Sequence, residues 1–316
     1  MDKRIKIFAI AGATASGKSA LALELAKRFD GEIVSCDSMQ VYKRMNIGTA
    51  KPTEEEMARV PHHMIDIVEP QKNYSCAEYI KDAEFAIRDI NARGKLPIIC
   101  GGTGLYLDAL LRGSDFSEES TPNEELRREL FEFARTHGKD ALFEELRRID
   151  PESAEAIHPN NVKRVIRAIE IYRTSGQKKS ELDRLSQQAP AKYDATVIAL
   201  RYNDRDILKR RIDMRVDQMI AEGLEAETRS LLEAGVFESN TTAAQAIGYK
   251  EFLGYFDGTM SFDECTELLK VATRKYAKRQ MTWFGGKKYV EWIDADANGK
   301  MRIFDEIVNS AIALFK

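Results

Sequence analysis

Gly12-Ala13-Thr14-Ala15-Ser16-Gly17-Lys18-Ser19 fits the pattern G-x-x-x-x-G-K-[ST]. Each part of it has a use for phosphate. The glycines let the chain curl so that successive N–H groups turn inward on an anion. A helix starting at its end adds about half a positive charge. Lys18 brings a mobile cation to terminal phosphate oxygens, and the Ser19 hydroxyl suits Mg²⁺. The motif specifies a polyphosphate or diphosphate, not a nucleotide. A phosphotransferase built on it needs a metal-binding acid at the end of another strand and arginines beside the transferring phosphate. Here the run Leu96–Cys100 ends instead in Gly101-Gly102-Thr103-Gly104. The candidate acids are Asp37, after the run Glu32–Cys36, and Asp66, between Ile65 and Ile67. A carboxylate at Asp37 serves as a metal ligand or as a general base, and periodicity does not choose between them.

These groups need strands and helices to hold them. Lys6–Ala11 is an apolar run entering the glycine-rich turn, and Ser19–Phe29 has helical spacing with Leu21, Leu25 and Phe29 on one face. Glu32–Cys36, Met64–Val68 and Leu96–Cys100 read as strands, and Tyr74–Arg93 as a helix stopping at Gly94. This rhythm predicts an α/β fold: a P-loop NTPase-like parallel sheet flanked by helices. Residues 116–190 contain no good strand, only charged helical segments punctuated by Pro122, Pro151 and Pro159. Thr196–Leu200 resumes as a strand, helices follow at Arg205–Ala221 and Phe262–Thr282, and Tyr289–Ile293 reads as a last strand. The expected organisation is a catalytic core of residues 1–115 and 191–316 with an all-helical insertion domain at 116–190.

The 316 residues carry 48 Lys+Arg and 51 Asp+Glu, a net charge of −3, with 43% apolar residues. That balance excludes a disordered chain and a small disulfide scaffold. No apolar run approaches the roughly 18–20 residues of a membrane span, and the apolar stretch near the N-terminus is too short for a signal peptide. A cytoplasmic protein with no membrane partner is expected. Cys36, Cys76, Cys100 and Cys265 form no C-x-x-C pair and read as free thiols. His62, His63, His137 and His158 show no ligand spacing.

The stretch Asp37-Ser38-Met39-Gln40-Val41-Tyr42-Lys43, continued by Met45-Asn46-Ile47-Gly48-Thr49-Ala50-Lys51-Pro52, strongly resembles the tRNA dimethylallyltransferases, also called tRNA isopentenyltransferases. Further matches follow in order at Pro61-His62-His63, Gly101–Tyr106, Asn160–Glu170, Arg211–Arg215, Ile247-Gly248-Tyr249 and Lys278–Trp283. The resemblance is nearest to the bacterial branch, because no zinc finger of the eukaryotic kind follows.

It implies transfer of a five-carbon group from dimethylallyl diphosphate to the exocyclic N6 amine of an adenosine in tRNA. That adenosine is 3′-adjacent to the anticodon in tRNAs reading U-initial codons. Gly12–Ser19 then cradles diphosphate rather than ATP, with Thr14 and Ser16 lining it and Mg²⁺ held through Ser19. Asp37 is implied as the base, Thr103 as a polar positioning group, and Arg215 as the arginine on the diphosphate. Ser38, Met39 and Gln40, with Asp37, are implied to hold the flipped-out base. The resemblance places tRNA contacts at Lys163, Arg164 and Arg167, at Gln245, Gly248 and Lys250, and at Lys278 and Arg279. Arg173, Lys178 and Lys179 extend the first group, and Lys270, Arg274, Lys275, Lys287 and Lys288 surround the last. The insertion would clamp the anticodon stem-loop, and the enzyme would act as a monomer.

Overall fold

Strand β1 (Lys6–Gly12) is apolar on both faces, as a strand inside a parallel sheet must be. In the computed structural model, which describes residues 4–112, 123–188, 190–238 and 241–315, it lies within one six-stranded sheet. The others are β2 (Gly31–Ser35), β3 (His62–His63), β4 (Leu96–Gly101), β5 (Asp194–Arg201) and β6 (Val290–Asp294). All pair in parallel, in the order β3-β2-β4-β1-β5-β6. Successive β1 residues face opposite sides. Ile7, Ala9 and Ala11 enter one apolar cluster, and Phe8 and Ile10 a second.

Helices cover both faces. Tyr79 and Ile87 of α3 (Cys76–Ala92) and Leu107 and Leu110 of α4 (Gly104–Arg112) belong to the first cluster. Leu21 and Leu25 of α1 (Lys18–Arg28) belong to the second. Between α1 and α3 lies the short α2 (Glu54–Arg59). Capping boxes start α2 and α3: Thr53 with Glu56, and Ser75 with Glu78.

The structure does not form the strand expected over Met64–Val68. β3 stops at His63, because Met64 and Asp66 adopt φ of 65° and 55°, outside the extended region. In place of a strand, one bridge joins Tyr42 to Val68, with backbone hydrogen bonds from Ile67 N and Val68 N to Val41 O. Asp66 accepts a hydrogen bond from Lys51 Nζ at 2.5 Å and takes the role of a loop tie, not of the metal acid considered for it.

Glu32 in β2 is buried and receives Arg93 Nη2 at 2.8 Å and His63 Nε2 at 2.8 Å. Hydrogen bonds from Arg93, the largest influence, and from His63 outweigh burial and hold its carboxyl down to about 2 from 4.5. The folded form therefore favours the carboxylate. Its stabilisation, about 3 kcal/mol, is present above the unfolded value and disappears as pH falls from 4.5 toward 2. Urea titrations at pH 5 and pH 2.5 should show this loss, and Glu32→Gln should narrow the difference between them.

The chain forms two compact units, Met1–Leu111 with Lys192–Lys316, and Arg112–Ala191. The expected boundary at 115/116 lies outside the described residues, as does Pro122. The second unit is helical among its described residues: α5 (Glu124–His137), α6 (Lys139–Ile149), α7 (Pro151–Ala156), α8 (Val162–Ser175) and α9 (Lys179–Gln188). Pro151 occupies the first turn of α7, where its missing N–H costs nothing. Leu130, Leu142, Phe143, Leu146, Ile166 and Ile169 make its own core. Glu170, fully buried, accepts from Asn123 N at 2.8 Å and from Arg167 at 2.8 Å, and it pairs with Arg127 at 3.0 Å.

The first unit continues with α10 (Arg205–Ala221), α11 (Leu224–Glu233), α12 (Leu253–Phe256), α13 (Phe262–Gly285) and α14 (Phe304–Leu314). Leu269 and Phe284 of α13 join the first sheet face, and Ile307 and Val308 of α14 the second. Ser261 and Glu264 form the capping box of α13.

Candidate active site

β1 runs straight into the Gly12–Ser19 loop, and α1 leaves it. Gly12 and Gly17 take φ of 135° and 99°, which only glycine adopts freely, and Ala15 sits at 59°. The loop's carbonyls turn outward onto partners. Lys18 Nζ reaches Ala13 O at 3.3 Å, Arg211 Nε donates to Ala15 O at 2.9 Å, and the Tyr202 hydroxyl to Ser16 O at 2.8 Å. Gly17, Lys18 and Ser19 open α1, so the helix supplies no acceptor for their amides. Ser16 Oγ is buried without a partner among the described residues. Amides and a hydroxyl left open beside a lysine form an anion cradle.

Two more strand ends border the cradle. β2 delivers Cys36 and Asp37, and β4 delivers Gly101-Gly102-Thr103. Cys36 N donates to Cys100 O at 2.7 Å, and Thr103 N to Cys36 O at 3.1 Å. A Cβ on Gly101 would lie 2.1 Å from Cys36 O, so the approach of these turns requires glycine there. Thr103 Oγ1 accepts from Ser38 N at 3.0 Å and donates to Ser38 Oγ at 3.3 Å. Asp37 Oδ1 accepts from Met39 N at 2.9 Å, which fixes one carboxylate oxygen and leaves the other.

From the helix side, α10 carries Arg215. Burial holds its guanidinium, and the Lys18 ammonium, below their ordinary ranges. Asp37 counters both, and Arg215 adds to the lowering at Lys18. One carboxylate thus stands among two cations at the mouth of the cradle. Of the residues that the sequence singles out, Gly12 to Ser19, Asp37, Ser38, Thr103 and Arg215 are brought together here.

The other residues that the sequence singles out fall elsewhere or carry other loads. Met39 is half-buried and packs on the core. The Gln40 amide is engaged at both ends: it accepts from Ser35 Oγ at 2.8 Å and donates to Thr49 O and Ala50 O at 3.3 and 3.1 Å. Its observed work is to shape the 46–51 loop rather than to present a free amide. Gly248, at φ 116°, packs its backbone on Gly48. Gln245 and Lys250 are exposed neighbours, with Lys250 Nζ on Gln245 O at 3.0 Å.

The basic runs are smaller than their sequences suggest. Arg274 pairs with Asp213 at 2.7 Å, Lys270 with Asp217 at 2.8 Å and Lys287 with Asp108 at 2.5 Å. In the second unit Arg167 meets buried Glu170, Arg173 pairs with Glu145 at 2.6 Å, and Lys179 pairs with Asp183. Lys163, Arg164, Lys275, Lys278, Arg279 and Lys288 are exposed.

Three residues escaped the sequence reading as site groups. Arg211 fastens the cradle's outer side. Tyr276 lies beside Thr103, Asp37 and Arg279, and burial raises its hydroxyl above the ordinary range. Gln280, buried on α13, donates to Gly102 O at 3.0 Å and accepts from Thr14 N at 2.8 Å. Arg211 and Gln280 stand inside stretches already marked by motif, which was the available signal.

Few side chains here would serve magnesium. Among the described residues no group of three His, Cys, Asp or Glu side chains gathers to hold a metal. Cys100 lies beside Lys18 and Ser19, and burial pushes its thiol up to about 11, so it stays protonated. Mg²⁺ takes few protein oxygens and keeps waters and substrate phosphates. The Ser19 hydroxyl at the head of α1 fits that pattern.

A parallel sheet, a phosphate loop and a carboxylate facing its cations define a P-loop enzyme acting on a phosphate ester. The family model described as IPP transferase matches residues 40–287, and the model described as isopentenyl transferase matches residues 5–69. A tRNA dimethylallyltransferase of Geobacillus thermodenitrificans is 50% identical over 289 residues, 92% of this chain and 90% of the relative. One from Thermoanaerobacter sp. is 47% identical over 293 residues, 92% of each. The solved tRNA isopentenylpyrophosphate transferase of Bacillus halodurans is similar with a TM-score of 0.70 and 42% identity, covering 98% of this chain and 96% of that one. A eukaryotic dimethylallyltransferase solved acting on tRNA gives a TM-score of 0.78 at 33% identity, covering 92% and 74%. The chain belongs to the tRNA dimethylallyltransferase family.

Proposed function

We propose that this protein transfers the dimethylallyl group of dimethylallyl diphosphate to N6 of the adenosine 3′-adjacent to the anticodon, in tRNAs reading U-initial codons. The observation that carries this reading is the placement of Asp37 against Lys18 and Arg215 in a chain of this family. A base and a leaving-group cradle share one site.

The adenine amine is a weak nucleophile, because its lone pair is delocalised into the ring. As N6 bonds to C1 of the donor, the C1–O bond breaks and diphosphate leaves with the electron pair. The N6 proton passes to Asp37, whose second carboxylate oxygen is not held by the Met39 amide. Positive charge spreads over the allylic carbons while the leaving group gains negative charge. Lys18, Arg215 and the amides of Gly17 to Ser19 meet that charge, and Ser16 Oγ has hydrogen-bonding capacity left for it. Ser19 would hold Mg²⁺, which supplies further charge neutralisation on the diphosphate. Thr103, tied to Ser38 and Cys36, keeps the base-bearing turn in register.

A stacked adenine does not reach this site, so the base must leave its stack. Ser38 and Met39 border its place. Lys278 and Arg279, with Gln245, Gly248 and Lys250 in the first unit and Lys163 and Arg164 in the second, are the proposed tRNA contacts. Arg279 lies over the Tyr276 ring at 5.5 Å, which sets it beside the site residues. No helix among the described residues is long and apolar enough to cross a membrane. We infer a cytoplasmic enzyme acting as a monomer.

Diphosphate release tests this reading against a small-molecule kinase. Diphosphate should appear only when tRNA and dimethylallyl diphosphate are both present, and ATP with a metabolite panel should yield no phosphoryl transfer. The reverse pattern overturns it. Lys278→Ala and Arg279→Ala should each weaken tRNA binding, and each should reduce the salt slope of log K by about 1. Inorganic diphosphate affinity should be unchanged in both. Titrations by filter binding and by calorimetry measure the two separately.

A further inference from the structure

We infer that Gln280 is a positioning residue that sets the distance between the leaving-group cradle and the base-bearing turn. This rests on the reading just given. The side chain is buried at 5% exposure on α13. Its oxygen takes the Thr14 amide at 2.8 Å, inside the phosphate loop. Its nitrogen gives a hydrogen bond to Gly102 O at 3.0 Å, in the turn after β4. One planar amide therefore joins two segments that belong to opposite halves of the reaction.

The joint is tight. A Cβ on Gly102 would lie 2.0 Å from Gln280 Nε2, so the turn accepts this contact only with glycine. Beyond Gly102 the connection continues. Thr103 bonds Ser38 through its hydroxyl and Cys36 through its amide, and Asp37 lies between those two residues. The route from Thr14 to Asp37 thus passes through Gln280 and Thr103. Lys18 reaches the same loop at Ala13 O, one residue before Thr14.

Gln280 also gives the Thr14 amide an acceptor of its own. The open amides at the loop's end are then left to the diphosphate, and the loop is held in one curl. A side chain of the same length without the amide keeps the volume and loses both hydrogen bonds. The expected consequence is a misplaced reaction, not a lost substrate. Misplacement by about 1 Å costs about 10²-fold in rate.

The test is steady-state kinetics of Gln280→Met and Gln280→Glu, beside wild type, with thermal melting of each. Glutamate keeps the acceptor for Thr14 but turns a second acceptor onto Gly102 O, so it spares the Thr14 side of the joint and opens the Gly102 side. Methionine should lower kcat about 10²-fold, with KM for tRNA and the affinity for inorganic diphosphate within about threefold of wild type. Glutamate should also lower kcat. Combining Gln280→Met with Thr103→Val should cost less than the product of the single losses, because both act on the same turn. Wild-type kcat in both variants overturns the inference, and so does a loss carried wholly by KM for tRNA. Strictly multiplicative losses in the double variant overturn it too. If methionine lowers the melting temperature, glutamate decides: wild-type kcat in Gln280→Glu overturns the inference. Failure of wild-type protein to prenylate tRNA in the same assay is a different result, and it counts against the proposed function instead.

Discussion

Asp37→Asn should lower the rate of prenyl transfer about 10³-fold, within the range for loss of a positioned general base. The substitution is nearly isosteric. Its side-chain oxygen still accepts from Met39 N, as Asp37 does, so the turn after β2 should keep its shape. tRNA binding should be unchanged. Inorganic diphosphate should bind as well as to wild type or more tightly, because a negative charge beside Lys18 and Arg215 has been removed. Rapid-quench single turnover gives the rate, and titration calorimetry with diphosphate gives the affinity. A loss of rate matched by a loss of diphosphate affinity would assign Asp37 to metal binding instead of proton transfer.

The second large effect belongs to Lys18. Lys18→Met should cost about 10²–10³ in kcat, as for removal of one preorganised group facing developing charge. It should also weaken diphosphate binding, since a cation has left the cradle while its amides remain. The pH dependence follows from the direction of the shift. The ammonium is the active form, and burial, the largest influence, lowers its pKa from 10.5, with Arg215 adding to the effect. Wild-type kcat/KM for dimethylallyl diphosphate, which reports the free enzyme, should therefore fall with rising pH before 10.5 is reached. Lys18→Met should lack that alkaline limb. An unchanged limb in the variant would assign it to another group, with Tyr276 excluded because its hydroxyl is shifted upward.

Much of the frame was legible because its signals are local. The phosphate loop announces itself within eight residues, and the apolar runs before and after it gave β1, β2, β4 and β5 to within a residue or two. Asp37 was legible as an acid at a strand end. Its role was not, because a base and a metal ligand look alike in sequence; the resemblance supplied the choice. Arg215 was visible only by that route, since on its own it is one charge on an amphipathic helix. Met64–Val68 misled because its composition suits a strand, while the left-handed backbone at Met64 and Asp66 leaves no local mark.

The basic segments carry fewer unpaired charges than their sequences suggest, for a different reason. Between Leu268 and Val290 no acid occurs in the chain, yet Lys270, Arg274 and Lys287 are each neutralised by an acid from another helix. A charge count along the sequence does not see partners that the fold brings in. Gln280 was hidden in the same way. A glutamine amid lysines and arginines carries no periodic signal, and its two hydrogen bonds join residues far apart in the chain. What the sequence concealed was chiefly contact between distant elements.

Nucleoside mass spectrometry tests the central claim most directly. Unmodified tRNA reading a U-initial codon is incubated with the protein, Mg²⁺ and dimethylallyl diphosphate, with free AMP as acceptor in a parallel tube. The account predicts isopentenyladenosine in the tRNA at the position 3′ of the anticodon, none in AMP, and a product lost in Asp37→Ala. Prenylated AMP with unmodified tRNA would contradict it and place the protein among enzymes of free nucleotides.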